Sequence, residues 1–105
     1  MNYKDFISLC LCNARNSIEV SNAKSIMPIK SNKVEISYLD DKRLVINSSI
    51  GKTIIWAENG YFRCDEILKS IANVYNVEYV DNSFRNLLCL RKNLLNAIEI
   101  NEGEI

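Results

Sequence analysis

The chain contains no histidine, one proline and three glycines in 105 residues. Without imidazole there is no Ser-His-Asp or Cys-His nucleophile, no histidine metal triad and no histidine switch near neutral pH. So few glycines and prolines exclude collagen-like and linker-like chains. Neither sign of charge is in excess: 13 Lys and Arg balance 13 Asp and Glu. A dedicated nucleic-acid binder normally carries surplus Lys and Arg, so no direct nucleic-acid partner is expected. No run approaches the ~20 apolar residues of a membrane span. Asp5 and Asn13 interrupt the N-terminal apolar residues, unlike a secretory leader. A cytoplasmic location is therefore expected, without a membrane partner, and with Cys10, Cys12, Cys64 and Cys89 as reduced thiols.

What is present is ample apolar material, 48% of the residues, enough to fold one domain over 1–105. Tyr3, Phe6, Ile7, Cys10 and Ala14 repeat at three and four residues, with Asn2 as cap and Asp5 in the first turn, which predicts a helix. A polar run over 13–16 ends it. Residues 17–21 alternate around Ile18 and Val20 as a short strand does. Residues 22–33, rich in Ser, Asn and Lys around Pro28, read as an exposed loop.

Strands follow. Val34, Ile36 and Tyr38 alternate with Glu35 and Ser37, Asp40-Asp41 makes a turn, and residues 43–47 alternate again. Gly51 breaks the chain before the β-branched and aromatic residues 52–57. Asn59-Gly60 is a strong type I′ turn signal, predicting a hairpin of 52–57 with 61–68. Ile67, Leu68, Ile71 and Val74 also fit a helix over 66–76, but the β-branched and aromatic content of 74–80 favours strand there. Asp81, Asn82 and Ser83 offer caps to a last helix with the stripe Phe84, Leu87, Leu88, Leu94, Leu95 and Ile98. Residues 101–105 read as an acidic tail. The expected fold is α+β: an N-terminal helix, an antiparallel sheet of five or six strands, and a C-terminal helix packed on one face.

Chemistry-bearing constellations are few. Cys10-x-Cys12 has the wrong spacing for a zinc knuckle, and the cysteines read as small buried hydrophobes; no metal or cofactor is expected. Gly51-Lys52-Thr53 resembles the end of a phosphate loop, but Ile46 stands where its first glycine belongs. The carboxylates Asp40, Asp41, Glu58, Asp65, Glu66, Glu78 and Asp81 fall at turns or on polar faces, where solvation rather than acid-base work is the rule. Trp56, Tyr38, Tyr61, Tyr75 and Tyr79 read mainly as core, with exposed binding aromatics as the alternative. Up to Lys33 five basic residues face two acidic ones, whereas 34–66 holds four basic and six acidic. An enzyme is not expected.

The run from Lys42 through Gly51-Lys52-Thr53-Ile54-Ile55-Trp56, then Glu58-Asn59-Gly60 and Cys64-Asp65-Glu66-Ile67, resembles the TriTu family of bacterial immunity proteins. Ala57 is an insertion before the turn, and Lys69-Ser70-Ile71-Ala72 replaces an acidic, glycine-bearing turn. The resemblance covers 42–98 and implies a further aromatic strand at 74–80 and a leucine-rich last helix. It also implies an immunity protein that neutralises a polymorphic or contact-dependent toxin by stoichiometric binding, its one protein partner being a toxin domain. Asp40, Asp41, Glu58, Asp65, Glu66 and Tyr61 are the candidate contact residues. The alternatives are a phage-encoded inhibitor of a host defence complex, of the anti-CRISPR type, or a small secretion chaperone.

Overall fold

The computed structural model describes residues 1–14, 16–81 and 83–102. Arg15 in the first polar run, Asn82 among the expected caps and 103–105 of the expected tail lie outside the described residues.

Helix α1 (Tyr3–Cys12) starts where Asn2 caps it: Asn2 Oδ1 accepts from the Asp5 N–H at 2.8 Å. Its stripe of Tyr3, Phe6, Ile7, Cys10 and Leu11 is buried, as is Ala14 beyond it. Strand β1 (Ser17–Glu19) follows and stops short of the expected five residues. Val20 opens a seven-residue helix, α2 (Val20–Ile26), in place of the expected loop. Only Ala23 of that helix is buried, so no clear apolar period marked it. Pro28, joined to Met27 by a cis peptide bond, stands just beyond its end.

Strands β2 (Ile29–Lys30), β3 (Val34–Asp40), β4 (Arg43–Ser48) and β5 (Gly51–Trp56) form an antiparallel four-stranded sheet in that order. Leu44 stands opposite Ile55, and Ile36 opposite Ile46, so one face is apolar and buried. The other face carries Glu35, Ser37, Arg43, Val45, Asn47, Lys52, Ile54 and Trp56, of which Val45 is buried. The register shifts between Tyr38 and Asp40, which leaves Leu39 exposed and sets Asp40 opposite Arg43.

The turn at Asn59-Gly60 is as expected, both residues having positive φ (52° and 82°), and Glu58 bridges Tyr61 across it. The hairpin beyond it is corrected. Strand β6 is only Tyr61–Arg63 and pairs with β1 in a separate two-stranded sheet, Ile18 opposite Phe62. The six strands are thus divided between two sheets rather than gathered in one.

The expected strand over 74–80 is also corrected. Helix α3 (Cys64–Val74) takes the second half of the expected 61–68 strand and runs to Val74, with Asp65 and Glu66 in its first turn and Cys64, Ile67, Leu68, Ile71 and Ala72 buried. It ends on Asn76, whose φ is +56°. The Val77 N–H bonds the Ala72 carbonyl at 2.8 Å and the Asn76 N–H bonds that of Asn73 at 3.2 Å, the paired bonds of a Schellman stop. Residues 77–80 form no strand.

Helix α4 (Phe84–Glu102) begins at Ser83, whose carbonyl accepts from Leu87 N–H at 2.9 Å. It buries Leu90, Leu94 and Ile98, but Phe84 (71% exposed) and Leu88 (55%) drop out of the expected stripe. Glu102, expected in a tail, is helical and buried. Helix α3 lies against α1, β4, β5 and β6, and α1 reaches β2, so one core joins both sheets to the helices. The class is α+β. Among the described residues no helix is long and apolar enough to cross a membrane.

Candidate functional site

The β3–β4 turn, the end of β5, the Asn59-Gly60 turn and the first turns of α3 place most of the expected contact residues on one continuous surface. Its centre is Trp56, 58% exposed at the end of an edge strand. The Arg43 guanidinium sits 5.5 Å from the centroid of the Trp56 ring, holding one face of the indole. Asp40 holds the guanidinium in turn, accepting from Arg43 Nε at 2.9 Å and from Nη2. The Lys42 N–H also bonds Asp40, at 2.9 Å. Arg43, with these bonds, keeps the Asp40 carboxyl below its ordinary pKa. Asp41 accepts from the Tyr38 hydroxyl at 3.2 Å.

Two shallow depressions meet at the indole. One is lined by Asp40, Asp41, Lys42, Arg43 and Trp56. The other runs between β5 and α3, lined by Ile54, Ile55, Trp56, Glu58, Glu66, Lys69 and Ser70. The structure therefore brings Asp40, Asp41, Glu58 and Glu66 around one tryptophan. Asp65 is adjacent but engaged: it accepts from Arg63 Nε at 3.1 Å and from Nη2 at 2.7 Å, and this pairing raises the Arg63 pKa. Tyr61 is exposed but lies on the two-stranded sheet opposite Glu19, and does not line either depression.

The sequence reads Trp56 mainly as core, with an exposed binding aromatic as the alternative; the structure puts it on the surface. The signal was its parity: Lys52 and Ile54 share its face, and Ile55 takes the buried one. Arg43 and Lys69 were not singled out either. Such a surface can hold a cationic group among carboxylates and stack an apolar or cationic side chain on the open face of the indole.

The cysteines divide. Cys10 and Cys64 are buried together in the core, whereas Cys12 and Cys89 are at the surface. A hydrogen bond with Cys64, together with burial, pushes the Cys10 thiol pKa up. Among the described residues no group of three or more Cys, Asp or Glu is placed to hold a metal ion. No known protein family, curated protein or solved structure matches the chain.

Proposed function

We propose that this protein is an immunity-type inhibitor that binds a single toxin domain one to one and blocks it without turnover. The observation that carries the reading is the exposed Trp56, gripped by Arg43 and surrounded by Asp40, Asp41, Glu58 and Glu66. Tryptophan dominates interface hot spots because it removes a large apolar area from water with few torsions to freeze. Carboxylates around it steer a basic partner surface and accelerate encounter. A toxin groove that holds a polyanionic substrate has that basic character. The likeness of 42–98 to TriTu proteins points the same way, and the positive-φ Asn59-Gly60 turn sits at the centre of that likeness.

The test is to capture the partner from the native host and measure binding by calorimetry. A stoichiometry of one is expected, with Trp56→Ala weakening binding at least about ten-fold. A combined Asp41→Lys, Glu58→Lys, Glu66→Lys variant should slow association and reduce its salt dependence. Unchanged affinity in both variants would remove this face from consideration, and turnover by the purified protein would end the inhibitor reading.

A further inference from the structure

Strand β5 closes the four-stranded sheet on one side, pairing with β4. The Ala57 N–H donates to the Lys42 carbonyl at 2.7 Å, which fixes the parity of the ladder. Thr53 and Ile55 turn their backbone groups toward β4; Lys52, Ile54 and Trp56 turn theirs to the open edge. Natural proteins blunt such an edge with charged side chains, of which Lys52 is one here, or with proline, bulges or a covering element, because it is a template for another strand. Here there is no proline between Gly51 and Trp56, and the register with β4 is unbroken.

The edge is also one wall of a groove. The depression of about 380 Å³ between β5 and α3 has Ile54, Ile55 and Trp56 on the strand side and Glu66, Lys69 and Ser70 on the helix side, with Glu58 at the Trp56 end. An edge strand facing a helix across a narrow groove is the arrangement in which an extended peptide adds to a sheet: its backbone bonds the edge and alternate side chains enter the groove. The lining holds two carboxylates, Glu58 and Glu66, against one cation, Lys69, a balance that favours a cationic side chain in the groove.

We infer that β5 and α3 form a strand-addition groove for an extended segment of the partner carrying a lysine or arginine near Glu58 and Glu66. This deepens, and rests on, the reading of the Trp56 face as the partner's seat. Trp56 is the single tryptophan of the chain, so its fluorescence reports on the groove directly.

The probes are capped hexapeptides of alternating Thr and Val with one Lys moved along the sequence. Controls carry Glu in place of Lys, or alternate N-methylated amides. A saturable change in Trp56 emission is expected with the Lys peptides. The Glu peptides should bind about ten-fold more weakly, and the N-methylated ones not at all. Ile54→Pro removes an outward N–H without breaking the ladder to β4, so it should fold and lose peptide binding; Lys52→Pro serves the same purpose if Ile54→Pro unfolds. The inference is overturned if no peptide of the panel binds with Kd below about 1 mM, or if both proline variants bind as wild type does. Sedimentation showing a dimer that Ile54→Pro dissolves would assign the edge to a second copy and overturn it as well. A toxin complex weakened by Trp56→Ala but indifferent to Ile54→Pro would discard strand addition and leave the inhibitor reading standing. Peptide binding without any one-to-one partner complex would do the reverse.

Discussion

The Tyr75 hydroxyl donates to Glu102 Oε1 at 2.6 Å, joining the C-terminal end of α3 to that of α4. The same carboxylate closes the β2–β3 turn: it accepts the Asn32 N–H at 2.6 Å, the Lys33 N–H at 2.9 Å and the Ser31 hydroxyl at 3.2 Å. One buried side chain thus replaces water for four donors from two parts of the chain. It anchors the far end of the long helix where apolar burial has ended with Ile98.

Removing that carboxylate leaves the buried Tyr75 hydroxyl and the Asn32 N–H without this acceptor, and leaves the Lys33 N–H only its bond to Ser31 Oγ at 3.2 Å. Glu102→Ala should therefore destabilise the protein by about 1–3 kcal/mol in urea denaturation. Glu102→Gln, which keeps an acceptor oxygen, should lose less. Equal stability of wild type and Glu102→Ala would show that water satisfies these donors unaided.

Alkaline stability follows from two phenols. Burial, then the bond to Glu102, pushes the Tyr75 pKa up to about 12, and burial, with Tyr75 beside it, raises that of Tyr3 as well. Both folded-state values lie above the unfolded value of 10.0. Their contribution is complete below that value and declines as pH rises through the folded values, because the unfolded chain then releases protons that the native protein keeps. Urea midpoints should be level up to about pH 9 and fall between about pH 10 and pH 12. Tyr75→Phe should be less stable at neutral pH and show a shallower alkaline decline. An equally steep decline in that variant would assign the effect to other groups.

Thiol reactivity should split the four cysteines into pairs. Cys12 and Cys89 are exposed, while Cys10 and Cys64 are buried and the Cys10 thiolate is disfavoured. Native labelling with a thiol reagent should modify two groups quickly and four only in denaturant, with peptide mapping placing the fast pair at Cys12 and Cys89. Rapid labelling of Cys10 or Cys64 would mean that α1 and α3 separate readily.

Gly51 opens β5 with φ +133°, a conformation that side-chain-bearing residues rarely adopt, and nothing lies within 4 Å of where its Cβ would be. The cost of Gly51→Ala is therefore backbone strain alone, about 1–3 kcal/mol. Thermal unfolding of the variant measures it. A change under a few tenths of a kcal/mol would mean that the turn relaxes to another shape.

The elements legible in the sequence are those whose signal is local. Asn2 and the spacing of Tyr3, Phe6, Ile7 and Cys10 define α1, and Asn59-Gly60 defines its turn, because capping and positive φ are properties of a few adjacent residues. Where Tyr61–Arg63 goes after that turn was not legible: its partner, Ser17–Glu19, lies more than forty residues upstream, and alternation alone does not name a partner. In 64–80 two periods overlapped. The apolar spacing of Ile67, Leu68 and Ile71 suits a helix, and burial of that stripe against α1 and the sheet outweighed the strand preference of Val74 and Tyr75. The acidic cluster could be seen in the sequence, but its centre could not. Trp56 sits at a sheet edge, and which strand is an edge emerges only from the assembled order.

The pairing of β1 with β6 also sets a timetable for synthesis. The apolar stripe of α1 and the backbone of β1 are made first, yet the segments that cover them, Tyr61–Arg63 and Cys64–Val74, come after the whole four-stranded sheet. At about 5–20 residues per second, translation leaves Tyr3, Phe6 and Ile7 without their final neighbours for several seconds. The meander over 29–56, whose strand contacts are all between successive strands, can close within that interval. The nascent chain therefore carries a sheet that can assemble early and an amphipathic segment, Tyr3–Cys12, that waits for its cover.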